Sequence, residues 1–565
     1  MSKEKNSLVM ISALLLIGVF VFAVVYGGIT LTRNLGKSKK VVSKEKAAKT
    51  LEDLYQEITV NKVKARKEVV NLKKTDMKDT LPKITKYPVP VKNTTQEFIE
   101  IFVSPEKAGQ GKDGWLVEVG QDFNQAGIKV AGREVSVKIR KIASGLGKDY
   151  IVSGKHLPDA YTPSNALWGK MIEASGQQIK LVEEKFVANT AGVLLSQTKH
   201  QQMLDKYGAI NLKVITEAVA KDELAMGYTN PFASSTGLNF LLATLSGFDE
   251  QNLLSDKAVT GFEKFQSNIP FLALTTMQMS HYAPSGVLDG FILEHQTYLN
   301  SPSLKSDYVF TPFGLKHNNP IYAVGDLPKQ EEEILHRFVE FAKQDKYQNL
   351  ASQYGFNQAK DYQVEMEEPS GKVIVQAQKL WKEKKDGNTE ISAVFVADIS
   401  GSMDGERLNK LKESLLTGAQ YISQDHSIGL VTFSSDVNIN LPIDKFDLNQ
   451  RSYFAGAVED MQAFGNTAMF DGIIVAANML MEERKKKPNA KLMLFVLSDG
   501  NTNRGHTFND IESMLKTLKI PIYTIGYNAD IKVLQNLSSI NEAASINADV
   551  DDVSYKLQNL FNAQM

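Results

Sequence analysis

The stretch AVFVADISGSMDG, Ala393–Gly405, indicates how the C-terminal part of the chain folds. A run of apolar residues ends at Asp398, and Ser400 and Ser402 follow it before a helical pattern begins. A buried strand that ends in clustered oxygen ligands is the place where α/β sheets build binding sites. Carboxylate and hydroxyl oxygens suit Mg²⁺, Mn²⁺ or Ca²⁺ better than Zn²⁺. The stretch therefore predicts a hard-cation site at a strand end.

The composition excludes several function classes. The chain has 565 residues, too many for one hydrophobic core, and its formal net charge of −1 does not indicate nucleic-acid binding. It has no cysteine, which excludes disulfides, thiolate nucleophiles, cysteine-ligated zinc and an acylated lipoprotein cysteine. The eight histidines are scattered without HxxxH or HExxH spacing, so a histidine-based metal site is not indicated.

The N-terminus carries a long uncharged segment. Its apolar core, Leu8–Ile29, would form a helix of ~33 Å at ~1.5 Å per residue, enough to cross a ~30 Å hydrocarbon layer. A buried core helix or a cleaved signal peptide are the alternatives. Val24–Tyr26 offers no small-x-small cleavage site, so we predict an uncleaved transmembrane anchor.

The segment after the anchor is rich in lysine and glutamate, and we interpret it as a solvated juxtamembrane helix and linker. A rough helical stripe runs through it at Leu51, Leu54, Ile58, Val63 and Val70. Pro82, Pro88 and Pro90 then predict its end in an extended connection.

From Glu97 the chain alternates short strands and helices. Its loop Asn230–Gly237 places hydroxyls at the start of an apolar helix, which fits either a polar-ligand site or a simple helix cap. Six segments occur in the order IEIFVSPEK, PDAYTPSNALW, YTNPFASSTGLNFLL, GVLDGFILEHQTYL, YVFTPFGLKHNNPIYAV and HRFVEFAKQDKYQNLASQYGF. On these segments, residues 97–365 resemble a bacterial extracellular solute-binding domain of the periplasmic-binding-protein type.

That resemblance implies two α/β lobes that close on a ligand at their hinge. The ligand contacts that it implies in this chain are Ser104, Thr162, Ser164, Ser234, Ser235, Thr236 and Glu294. Import proteins of this family are usually lipidated or free, and this chain has no cysteine to acylate, which is a departure from that pattern.

The C-terminal segment alternates strands and helices more regularly. Strands at 391–398, 427–435, 491–499 and 520–527 are predominantly apolar, which predicts a mostly parallel, doubly wound sheet buried on both faces. Three loops at strand ends or helix starts supply oxygen ligands, in the segments DISGSM, GNTAMFDGI and LSDGNTN. With these segments, residues 388–565 resemble a von Willebrand factor A (VWA) domain with a metal-ion-dependent adhesion site.

By this resemblance, Ser400, Ser402 and Thr467 supply hydroxyl ligands, and Asp398 and Asp499 hold the ion directly or through water. Such a set leaves one coordination position open, which a glutamate or aspartate of a protein partner can fill. We expect Asp404, Asn466 and Asp471 to be capping, supporting or surface residues, and His506 to be an isolated surface histidine.

The predicted fold class is therefore α/β, in five segments. They are a transmembrane anchor (1–32), a charged juxtamembrane helix and linker (33–95), a two-lobed periplasmic-binding-protein-like domain (96–366), a connecting helix and linker (367–388), and a doubly wound, Rossmann-like VWA domain (389–565). No Ser-His-Asp order, nucleophile elbow or Walker loop occurs, so we predict a binding protein rather than an enzyme.

The predicted function is divalent-metal-dependent recognition of a protein partner, with a second ligand, a small solute, in the two-lobed domain. We expect a single-pass bacterial membrane protein with its C-terminal domains outside the cell. A receptor for solute transport or sensing is one alternative. A cytosol-facing assembly factor for a AAA+ ATPase is another, favoured by the basic flank Arg33–Lys40, which exceeds Lys3 and Lys5 in a positive-inside count.

Overall fold

The structure of the chain is a computed structural model. It describes residues 43–70, 77–269, 271–273, 288–359, 361–364, 366–385, 390–527, 531–539 and 545–547, together with Met279, Leu557, Leu560 and Phe561. Within these ranges, no helix is both long enough and apolar enough to cross a membrane. The predicted anchor, Leu8–Ile29, lies outside the described residues.

The C-terminal domain is built on a seven-stranded sheet. In spatial order its strands are Val60–Lys62, Val437–Lys445, Ser427–Phe433, Ile391–Asp398, Lys491–Ser498, Ile522–Gly526 and Ser545–Asn547. Neighbouring strands are parallel except for the pair 427–433 and 437–445, which is antiparallel.

The central strand, Ile391–Asp398, shows why the sheet is covered on both faces. Phe395 packs into an apolar cluster on one face, whereas Val394 and Val396 pack into a second cluster on the other. Successive side chains of a strand point to opposite faces of the sheet. Because consecutive residues of this strand are apolar, both faces must be covered. The covering helices are Lys44–Gln56, Glu406–Ala419, Leu448–Glu459, Met469–Lys486, Phe508–Leu518 and Ile531–Ser539. The mixed α/β fold predicted for this segment is confirmed.

The interpretation of the described part of residues 33–95 as a solvated stalk is wrong. Ala47 and Leu51, on the helix Lys44–Gln56, are 0% and 1% exposed and join the apolar cluster of the C-terminal domain. The strand Val60–Lys62 then pairs in parallel with residues 437–439 and extends the sheet. The apolar stripe of this helix is therefore a packing face, which a count of charges along the sequence does not reveal.

The middle of the chain forms two lobes, each with its own sheet. The first sheet has the strand order Lys129–Val130, Arg133–Lys141, Glu97–Val103, Ala160–Thr162, Ile321–Val324 and Ile179–Glu183. The second has the order Tyr308–His317, Asn189–Ser196, Gly290–Glu294, Met226–Thr229 and Phe271–Ala273. The chain crosses from the first lobe to the second after residue 183 and returns after residue 317.

Helices cover both sheets. Those of the first lobe are Trp115–Gln125, Ser144–Ser153, Leu167–Ala174, Lys329–Ala342 and Asp345–Gln353. Those of the second are Gln197–Tyr207, Leu212–Ala220, Ser235–Phe248, Asp256–Ser267, His295–Asn300 and Pro302–Asp307. The short helix Met77–Thr80 precedes the first lobe.

The connecting helix, Gly371–Lys384, packs against both lobes. A Cβ atom at Gly371 would lie 2.0 Å from the carbonyl oxygen of Lys170 in the first lobe, so the two backbones touch. In the second lobe, Trp381 Nε1 donates to the Tyr228 hydroxyl at 2.6 Å. The predicted connecting helix is thus packed into the two-lobed domain, a contact that the sequence did not indicate.

Candidate functional site

Three loops of the C-terminal sheet are tied together at the ends of its central strands. Gly401 N–H donates to Gly465 O at 3.0 Å, and Asn503 N–H donates to Thr467 O at 3.1 Å. Gly465 adopts φ +75°, and a Cβ atom there would lie 2.7 Å from Ser435 Oγ, so glycine suits this close approach. These bonds bring the loops of Asp398, Thr467 and Asp499 to one place.

Asp398 is held rigidly beneath this cluster. Its side chain is fully buried, Oδ1 accepts from Ser400 N–H at 2.9 Å, and Oδ2 accepts from the Ser498 hydroxyl at 2.6 Å. Burial raises the pKa of Asp398 to about 6, and the Asp499 carboxylate adds to this rise, whereas the hydrogen bonds from Ser400 and Ser498 oppose it. A nearby positive charge would therefore stabilise the ionised form of Asp398.

The hydroxyl groups lie beside this carboxylate. Ser400 Oγ and Ser402 Oγ are 3.1 Å apart, and Ser400 is buried whereas Ser402 is exposed. Thr467 is 3% exposed, and Asn503 Oδ1 accepts from its backbone N–H at 2.9 Å. The cluster is thus open to solvent on the side of Ser402.

Asp499 contains an unsatisfied oxygen. Its Oδ1 accepts from Asn501 N–H at 3.2 Å, but its buried Oδ2 has no hydrogen-bond partner among the described residues. The charged group beside it is the guanidinium of Arg407, whose Nη1 lies 3.7 Å from this oxygen. A buried carboxylate oxygen without a hydrogen-bond donor is costly unless a cation compensates it.

This donor set fits a divalent cation. Two carboxylates and three hydroxyls are hard oxygen ligands, and the unsatisfied Asp499 Oδ2 is the kind of atom that a cation would bind. Across the described ranges, no group of three or more histidine, aspartate and glutamate side chains is arranged to hold a metal ion, so the hydroxyls are needed to complete such a site.

A second polar cluster occupies the junction of the two lobes. Its first half surrounds the fully buried Lys107, whose ammonium donates to Ser104 Oγ and, at 2.6 Å, to Asn319 Oδ1. Glu106 accepts from Ser104 and, at 2.8 Å, from the Ser164 hydroxyl. Burial lowers the pKa of Lys107. Burial would raise the pKa of Glu106, but the Lys107 charge and the hydroxyl donors leave it lowered.

The second half surrounds Glu294. Its Oε1 accepts from the Thr236 hydroxyl at 2.6 Å and from His317 Nδ1 at 2.8 Å, and its Oε2 accepts from Asn189 Nδ2 at 2.9 Å. Asn165 Nδ2, from the first lobe, donates to Ser235 O and to His317 Nε2, both at 3.2 Å.

The predicted contacts Ser234, Ser235 and Thr162 are not bonded to Glu106 or Glu294. Ser234 Oγ accepts from Gly237 N–H at 3.2 Å and thus caps the helix Ser235–Phe248. Ser235 Oγ accepts from Trp168 Nε1, across the lobes, at 2.8 Å. Within the described ranges, the buried atoms Thr162 Oγ1 and Asn165 Oδ1 have no hydrogen-bond partner.

His506 is not the isolated surface histidine that the sequence suggested. Its Nδ1 lies 2.7 Å from Asp471 Oδ1, and its Nε2 lies 3.4 Å from Glu57 Oε2. Burial lowers the pKa of His506, but the hydrogen bond and charge of Asp471 outweigh it and raise the pKa overall. His506 thereby links the N-terminal helix to the C-terminal domain.

Several residues of both sites were not predicted from the sequence. In the C-terminal domain they are Arg407, Ser498 and Asn503, and in the two-lobed domain they are Glu106, Lys107, Asn165 and His317. Ser498 immediately precedes Asp499 and could have been found from its place at the same strand end. Glu106 and Lys107 stand two and three positions after Ser104, and Asn503 stands four positions after Asp499, so their nearness in sequence was also a signal. The contacts of Arg407, Asn165 and His317 join segments that are far apart in the sequence.

The fold and these clusters define a protein with two recognition domains in one chain. Residues 393–563 match the von Willebrand factor type A domain, and residues 108–357 match the family described as bacterial extracellular solute-binding protein. The chain therefore contains a VWA domain and a solute-binding domain, as the sequence motifs indicated.

Individual proteins resemble parts of the chain. Inter-alpha-trypsin inhibitor heavy chain H3 of Bos taurus is 27% identical over 184 residues, which are 30% of this chain and 20% of that protein. The chain thus spans about a fifth of that relative's length. A von Willebrand factor type A structure from Catenulispora acidiphila has 19% identity and a TM-score of 0.28, and covers 31% of this chain and 42% of that one. Iron-bound HitA from Pseudomonas aeruginosa has 11% identity and a TM-score of 0.37, and the match covers 52% of this chain and 99% of that one.

Proposed function

We propose that this chain is a membrane-anchored binding protein whose VWA domain recognises a protein partner in a divalent-metal-dependent manner. The observation that supports it most is the buried Asp499 Oδ2, which has no hydrogen-bond donor among the described residues and lies within a set of hard oxygen ligands. Asp398, Ser400, Ser402, Thr467 and Asp499 would hold Mg²⁺, or Mn²⁺ or Ca²⁺ in its place. A bound cation supplies an open coordination position for a partner's carboxylate.

The protein's own part in this recognition is to fix the ligands in advance. Ser498 and the Ser400 N–H orient Asp398, and Asn503 orients the backbone of Thr467. Little conformational entropy is then lost on binding, since these side chains are already ordered. The chain would act by binding rather than by catalysis.

The test is a comparison of Asp398→Ala with Asp404→Ala in the full chain. Asp404 is an exposed carboxylate of the same loop that the proposal excludes from the ligand set. We expect titration calorimetry with MgCl₂ and MnCl₂ to show binding to the wild type and to Asp404→Ala, and none to Asp398→Ala. Binding that survives Asp398→Ala in a folded protein would contradict the proposal.

A small solute in the two-lobed domain is the second candidate function. Two buried atoms at the lobe junction, Thr162 Oγ1 and Asn165 Oδ1, have no hydrogen-bond partner in the described part of the chain, and they favour this function because a ligand could satisfy both. Native mass spectrometry of the full chain is expected to show a co-purified small molecule that Thr162→Val loses. Equal protein masses under native and denaturing conditions would argue against a bound solute.

We infer an extracellular location from the solute-binding domain, with the anchor at Leu8–Ile29. Protease treatment of intact cells should then remove the VWA domain. Its protection would favour the cytosol-facing alternative, in which the chain assists an ATPase assembly.

A further inference from the structure

Arg407 occupies a position between the solvent and the candidate cation site. It lies in the first turn of the helix Glu406–Ala419, which follows the loop of Ser400 and Ser402. Its Nη1 donates to Ser402 O at 2.7 Å and lies 3.7 Å from Asp499 Oδ2. The Arg407 side chain is 37% exposed, whereas that of Asp499 is 1% exposed. The guanidinium therefore reaches from the rim toward a buried carboxylate.

The guanidinium does not satisfy Asp499 by a hydrogen bond. At 3.7 Å the contact is an ion pair only, and Asp499 Oδ2 has no hydrogen-bond donor among the described residues. The oxygen therefore stays available to a ligand that approaches more closely. A divalent cation that bound it would replace the ion pair with Arg407 and would also be repelled by the guanidinium, because both are positive.

We propose that Arg407 is an internal counter-ion that competes with the divalent cation for Asp499 and thereby weakens cation binding. This inference rests on the proposed metal-dependent function of the VWA domain. Without the cation, Arg407 compensates the buried carboxylate. When the cation binds, Asp499 exchanges one positive partner for another, so the net gain in binding is smaller than the ligand set alone would give.

A neighbouring arginine provides a matched control. Arg504 lies in the loop that follows Asp499, and its Nη2 is 3.8 Å from Asp436 Oδ1, which is not a candidate ligand. Arg504→Gln removes one positive charge from the same loop cluster, as Arg407→Gln does. Only Arg407→Gln removes the ion pair with a ligand, so the two variants separate direct competition from the general effect of charge.

The experiment measures Mn²⁺ binding to the full chain by the paramagnetic resonance signal of free Mn²⁺, at fixed ionic strength. We expect Arg407→Gln to bind Mn²⁺ about tenfold more tightly than the wild type, a coupling of ordinary size between two sites that share a residue. Arg504→Gln is expected to bind within about twofold of the wild type, as screened surface charges have little effect. The rise in unfolding temperature on adding MgCl₂ should also be larger for Arg407→Gln.

The outcomes distinguish this inference from the function on which it rests. Equal affinities for the wild type and Arg407→Gln, or equal gains in both arginine variants, would overturn the competition while leaving the cation site intact. Absence of Mn²⁺ binding in all three proteins would overturn both. Arg407→Lys, which retains the charge, is expected to remain close to the wild type, and tight binding by this variant would also contradict the proposal.

Discussion

Four charged or titratable side chains meet on the first sheet of the two-lobed domain. Glu100 Oε1 pairs with Arg140 at 2.8 Å and with Lys138 at 3.1 Å, and Oε2 lies 2.8 Å from His156 Nε2. Burial acts to raise the pKa of Glu100, but these partners together outweigh it and lower the pKa to about 2. The folded state therefore favours the ionised carboxylate.

A lowered pKa in the folded state predicts acid destabilisation. The stabilisation from Glu100 is complete above its ordinary value of 4.5 and is lost as the pH falls toward 2, because the unfolded chain takes up the proton first. At neutral pH, Glu100→Gln should lower the free energy of unfolding of the two-lobed domain by about 2 kcal/mol. It should also flatten the dependence on pH between these limits, as followed by denaturant unfolding.

Glu97, on the same strand, is the control for this prediction. Its pair with Arg133, at 2.7 Å, lies at the surface, so Glu97→Gln should cost less than about 1 kcal/mol. A steep acid dependence that persists in Glu100→Gln would show that other groups cause it.

At the scale of elements, the helix Lys44–Gln56 tests whether the N-terminal segment belongs to the VWA domain. Leu51 packs in the cluster that includes the helices Met469–Lys486 and Phe508–Leu518. Leu51→Ala should therefore lower the free energy of unfolding of the VWA domain by about 3 kcal/mol, since it leaves a cavity in a packed core. Differential scanning calorimetry of the full chain would detect this change.

Lys49 lies on the exposed side of the same helix, so Lys49→Ala should leave the transition unchanged. If Leu51→Ala also has no effect, the helix does not contribute to the core, and the earlier interpretation as a stalk would be restored.

At the scale of the whole molecule, the two-lobed domain lies between two parts of the VWA domain in the sequence. Residues 44–68 contact the VWA domain at several points, including Ser452 Oγ to Glu68 O at 2.7 Å and Arg66 Nε to Asp460 at 2.9 Å. Residues 390–527 supply most of the rest of that domain, and the chain between them forms the two lobes. The VWA domain is therefore discontinuous in sequence.

This topology predicts the behaviour of a cleaved protein. Sites for a sequence-specific protease, inserted within 71–76 and within 386–389, would divide the chain into three fragments. The fragment that ends near residue 70 should co-elute with the VWA fragment on size exclusion, because its strand pairing and apolar contacts remain. Co-elution with the two-lobed fragment instead would contradict the topology. A protein cut only within 386–389 serves as the reference.

The sequence by itself determined the class of both domains and the candidate ligands of the cation site. Alternation of apolar strands with helices is a local pattern, and Asp398, Ser400 and Ser402 are close together along the chain, so the sequence indicated an α/β fold and an oxygen-rich strand end. The class of each domain and the full ligand set followed from the resemblance of the quoted segments to known families. The sequence could not determine contacts between distant segments. Asn61 bonds Asn438 across 377 positions, and Arg407 reaches Asp499 only because a helix start and a strand end meet. These contacts depend on packing, and the tertiary structure alone decided them.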